Sequence, residues 1–105
     1  MSVLITTVET IPGKSYTVLG LARGSTIQCR NFGHDLMSSM RNLVGGEMES
    51  YTAMMNDARD LATSRMADEA ARMGADAVVG MRYTTSSVMQ GAAEVMAYGT
   101  AVKFD

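Results

Sequence analysis

One cysteine, one histidine and a scatter of carboxylates and arginines are the groups with which this 105-residue chain could do chemistry. Cys29 and His34 flank the turn-like stretch RNFG and could form a thiol–imidazole dyad, in which the base makes the thiolate that attacks. Such a dyad needs a third group to orient the imidazole, and the sequence suggests none; no Ser sits in a G-x-S-x-G elbow. Cys29 therefore reads as a small strand residue and His34 as a polar group at a helix start. The same stretch offers soft metal ligands, because a helix would bring Met37 and Met40 within one turn of each other beside Cys29 and His34. A closed zinc site takes four Cys or His ligands, and neither C-x-x-C nor H-x-x-x-H spacing occurs. What is left is a thiolate–thioether site of the copper(I) type, with Cys29 and His34 as its candidate ligands.

The acidic candidates are Glu9, just ahead of a Pro-Gly turn, and Glu94, which interrupts an apolar strand. Alternation along that strand places Glu94 on the face of Met96 and Tyr98. Salt links from Glu94 to Arg23 or Arg82 of a neighbouring copy are the expected use of these charges. Strand positions thus give Arg23, Arg82, Glu94 and Tyr98 as candidates for an inter-subunit site for a small ligand. No catalytic residue is assigned and no cofactor is expected, apart from the metal ion already considered.

Two stretches imitate phosphate-binding loops. In LVGGE, Gly45 and Gly46 precede a helical run, but Glu47 and Glu49 follow where a phosphate loop needs Lys. Each carboxylate there stabilises the positive helix end by about 0.3–1 kcal/mol and repels an incoming anion. Gly45, Gly46 and Glu47 are read as a joint between two helices. The triplet Gly13-Lys14-Ser15 copies the end of a Walker A motif, but Val8 stands where its first Gly belongs and a strand follows instead of a helix.

The elements that would position these groups follow from periodicity. Residues 3–7 are short and β-branched, and Pro12-Gly13 makes a turn. A second extended stretch runs from Ser15 to Cys29, with Gly20 and Gly24 marking a bulge, a bend or a close approach of another backbone. Residues 34–44 suggest a short helix ending at Gly45-Gly46. Tyr51, Met54, Met55, Ala58, Leu61, Ala62, Met66, Ala70 and Met73 form the apolar stripe of a long helix of about six turns. Gly74 closes it. Residues 76–86 and 92–104 then read as a hairpin, whose last strand has Ala93, Val95, Ala97, Gly99 and Ala101 on one side and Met96, Tyr98, Val102 and Phe104 on the other. A helix can lie close on the small side; the bulky side needs other cover.

One α+β domain spanning residues 1–105 accounts for all of this. The formal charge is −2 without a basic cluster, which argues against nucleic acid as a partner. No apolar run reaches the ~20 residues that cross a bilayer, and the opening residues lack signal-peptide features, so a cytoplasmic location is expected. One cysteine allows no intrachain disulfide, which suits a reducing compartment. Eleven Met and no Trp depart from ordinary usage, and Met serves as flexible core filler. A small sheet crossed by one long helix leaves a face and two edges bare, so a symmetric homo-oligomer is expected.

Taken in order, ITTVETIPGK, VLGLARGST, NLVGGEMESYTAMMNDARDLA, GADAVVGMRYTTSS and GAAEVMAYGTAV give the chain a resemblance that covers nearly its whole length. It resembles the YbjQ-type family of small bacterial and archaeal proteins, which carries a heavy-metal-binding label. The resemblance implies a dodecin-like β-α-β-β subunit with an antiparallel sheet and extra short strands, assembled into a pentameric ring. It implies no particular reaction. Cys29 and His34 lie outside the shared pattern and inherit no ligand role from it, and the Met enrichment is likewise this chain's own.

Overall fold

The computed structural model describes residues 2–29, 46–89 and 92–105, with residues 28, 29 and 46–51 described through their backbone. Strand β1 (Leu4–Ile5) is followed by β2 (Tyr16–Cys29), helix α1 (Gly46–Arg72), β3 (Ala77–Met89) and β4 (Ala92–Phe104). The sheet order is β1-β3-β4-β2. The three long strands are antiparallel neighbours, as expected, while β1 joins β3 in parallel and makes the sheet mixed. Beyond its two residues the chain continues along β3, with Gly80 N–H donating to Val8 O and Met81 N–H to Thr6 O.

Helix α1 lies over β2 and β4 and barely reaches β3. Its buried stripe is Ala58, Ala62, Met66 and Ala70, a strict i, i+4 row, with Met55 and Met73 packed at the ends. Leu61, expected on this stripe, is 40% exposed, because it sits one helical residue, about 100°, away from Ala62. The facing strand residues are small: Val95, Ala97 and Ala101 on β4 and Ala22 on β2 are fully buried. At Gly24 there is no room for a side chain, since a Cβ would lie 2.2 Å from the Met66 N and 2.5 Å from the Ala62 O. The small face exists so that helix backbone can rest on strand backbone.

The helix begins at Gly46, so the second glycine of the expected joint and Glu47 belong to its first turn. Acidic residues there suit the positive helix end. Gly45 and the short helix expected over residues 34–44 lie outside the described residues. The first hairpin strand runs to Met89, beyond the expected residue 86, and the second spans Ala92–Phe104 as expected.

Two glycine bulges control which way the strands face. Register slips between Val18 and Gly20 on β2 and between Val79 and Arg82 on β3, where Gly20 (φ 142°) and Gly80 (φ 61°) adopt positive φ. Opposite Gly80 and Met81, Gly99 is so crowded that a Cβ would meet the Val78 Cγ1 at 2.5 Å. An extra residue reverses the alternation of everything after it. Met81 therefore joins the helix-side core, and Arg82 pairs with Tyr98 on the opposite face.

Candidate functional site

The face of the sheet turned away from α1 has two halves. Near the chain ends Ala77, Val79 and Val102 are buried beneath Ile11, Tyr16 and Phe104. The Tyr16 hydroxyl donates to the Glu9 carbonyl, which fastens this cover. Further along the strands the cover ends. There the register stacks rows across β3, β4 and β2: Val79, Thr100 and Leu21; Arg82, Tyr98 and Arg23; Thr84, Met96 and Ser25; Ser86, Glu94 and Ile27. Leu21 is 58% exposed, Ile27 57% and Tyr98 37%.

All four candidates from strand position, Arg23, Arg82, Glu94 and Tyr98, thus share this open half-face. The structure brings Tyr98 between the two arginines, one strand away from each. Glu94 is half-buried and four residues further along β4, about 13 Å at strand rise. The Arg82 Nη1 donates to the Thr7 and Met81 carbonyls at 3.2 and 2.8 Å, which anchors one end of the guanidinium. Among the described residues the ion pair is Lys103–Asp76 at 3.9 Å, remote from the row. Two cations on an apolar sheet face can hold carboxylates or other oxyanions. Glu9 is exposed and its side chain stands beside Gly80, two residues before Arg82.

The sequence reading missed what lies at the free edge of β2. The Arg23 N–H donates to the Glu69 Oε1 at 3.3 Å, and the Arg65 Nη1 donates to the Ser25 carbonyl at 2.7 Å. Two helix side chains thereby occupy outward-pointing backbone groups of an edge strand. Their i, i+4 spacing was visible, but not which strand they would meet.

Cys29 ends β2, and its side chain, with His34, Met37 and Met40, lies outside the described residues. Among the described residues no group of three or more His, Cys, Asp or Glu side chains could hold a metal ion. No described helix is long and apolar enough to cross a membrane.

Known proteins share this chain's sequence along nearly its whole length. The YbjQ family profile, described as "Putative heavy-metal-binding", matches residues 3–105. The chain belongs to the YbjQ family. A UPF0145 protein of Clostridium perfringens is 55% identical over 103 residues, covering 97% of each chain. One from Thermus thermophilus is 50% identical over 106 residues, covering all of this chain and 93% of its own. One from Methanosarcina acetivorans is 55% identical over 101 residues, covering 95% of each. Among solved structures, a DUF74-family protein of unknown function from Pediococcus pentosaceus superposes with a TM-score of 0.70 at 20% identity, covering 98% of each chain. That likeness establishes the α+β fold.

Proposed function

We propose that this YbjQ-family chain is a non-enzymatic homo-oligomer, a ring of five copies by family resemblance, whose subunit boundaries form clefts for a small ligand. The observation that carries the reading is the half-covered sheet: the chain buries Ala77, Val79 and Val102 at one end of its second face and leaves Val18, Leu21, Ile27 and Tyr98 exposed, the last three around two arginines. Apolar patches of this kind rimmed by charge are association surfaces in soluble proteins. Arg23, Arg82, Glu94 and Tyr98 would then line the boundary between copies. Sedimentation velocity at micromolar concentration tests the reading. A species several times the 11.2 kDa chain mass is expected; a compact 11.2 kDa monomer ends it. Native mass spectrometry of the same sample reports any small molecule retained with the assembly.

The family description favours a second reading, soft heavy-metal binding, for which Cys29 and His34 are the candidate ligands. Copper(I) and zinc titrations of wild type and a Cys29→Ser, His34→Ala variant separate the two. Uptake lost in the variant supports the metal reading, and equal weak uptake by both proteins removes it.

A further inference from the structure

We infer that the open sheet face of one copy receives the acidic outer stripe of α1 from a second copy. This rests on the self-association reading above and names the two surfaces that meet.

Covering Leu21, Ile27, Met96 and Tyr98 also takes Arg23 and Arg82 out of water, because both stand within the same rows. A desolvated guanidinium without a counter-charge is strongly unfavourable, so whatever covers this face must bring carboxylates. Among the described residues the face itself supplies Glu94, two rows from the arginines, and Glu9 stands beside Gly80, so no carboxylate shares the Arg82–Tyr98–Arg23 row.

The chain carries a complementary surface. Opposite the buried stripe of α1, Asp57, Asp60, Ser64 and Asp68 are exposed at steps of three and four residues, so they lie on one line. The half-exposed Leu61 sits beside them. Of the neighbouring cations, the Arg65 Nη1 reaches the Ser25 carbonyl and the Arg59 Nη1 donates to the Asn56 Oδ1, while Arg72, one turn beyond Asp68, is exposed and forms no ion pair with it among the described residues. Asp57, Asp60 and Asp68 form no ion pair among the described residues. A line of acids with one leucine beside it therefore complements an apolar face crossed by arginines. Two strand spacings separate Arg23 from Arg82, about 10 Å. Eight helical residues separate Asp60 from Asp68, about 12 Å, so one helix can engage both arginines together. Because the two surfaces differ, the contact is head-to-tail, and its repetition makes a ring when the rotation closes.

A charge swap tests this. Arg23→Glu with Arg82→Glu, and separately Asp60→Lys with Asp68→Lys, each should weaken self-association at least tenfold in sedimentation, with helical circular dichroism retained. All four substitutions in one chain should restore the wild-type mass. Should a swapped chain not fold, a second measurement applies in a Cys29→Ser background. Leu61→Cys with Leu21→Cys should then give disulfide-linked multimers under mild oxidation, and neither single cysteine should give more than dimers. Folded double variants that keep the wild-type mass, a folded quadruple variant that stays dissociated, or a double-cysteine chain that does not cross-link overturns the contact while self-association stands. A monomeric wild type removes both.

Discussion

Replacing Gly24 by Ala would test how closely α1 rests on the sheet. The added Cβ would lie 2.2 Å from the Met66 N, 2.5 Å from the Ala62 O and 2.6 Å from the Arg65 C, all backbone atoms that no rotamer change can move aside. To restore an ordinary contact of about 3.4 Å, the helix must retreat by about 1.2 Å at this point. A gap of that size forfeits roughly half of the dispersion contact made by neighbouring side chains. Ala58, Ala62, Met66 and Ala70 would loosen together, since they share one rigid stripe. Overpacked cores lose 1–3 kcal/mol and sometimes more, and a backbone-to-backbone clash belongs at the top of that range, so about 3 kcal/mol is expected. At about 4–8 °C per kcal/mol, the melting temperature should fall by roughly 12–24 °C. The assay is thermal and urea unfolding followed at 222 nm, at one fixed protein concentration because association shifts the midpoint. Gly74→Ala is the control: φ is 86° and nothing lies within 4 Å of the new Cβ, so backbone strain of about 1–2 kcal/mol is its whole effect. A Gly24→Ala protein as stable as wild type, or less perturbed than Gly74→Ala, would refute the close approach.

Met66→Ala should cost about 2–5 kcal/mol in urea unfolding, because Met66 is fully buried between helix and sheet. Tyr83→Phe should lower stability by about 0.5–1.5 kcal/mol, since the Thr63 hydroxyl donates to the Arg59 carbonyl and leaves Tyr83 as donor in their 2.6 Å bond. A double-mutant cycle with Thr63→Ala isolates that pair, and a zero coupling energy would count against it. Arg65→Ala with Glu69→Ala uncovers the Arg23 N–H and Ser25 carbonyl on the β2 edge, and should raise light scattering from large aggregates at unchanged helical signal. Unchanged scattering would mean that these side chains do not guard the edge.

The long helix, the three long strands and the division of β4 into a small and a bulky face were all readable from residue order. Each is a local matter: side-chain period follows backbone geometry, and a row of Ala and Gly admits close packing wherever it lies. Gly20 and Gly24 were readable as special positions, but their tasks differ, one shifting register and the other yielding room to Met66 and Ala62. The likeness between VLGLARGST and VVGMRYTTS is too weak for a repeat, yet both stretches place a positive-φ glycine ahead of an arginine that pairs with Tyr98.

By itself the sequence determined the element types, the apolar stripe and the surplus of uncovered sheet, because these depend on spacing within a segment. Tertiary structure alone decided that Arg23 and Arg82 stand on either side of Tyr98. Simple alternation would have sent both arginines toward the helix, and each reaches the open face only because a bulge against β4 inserts one residue before it. Register between strands is a relation between distant parts of the chain, and no count along one segment contains it.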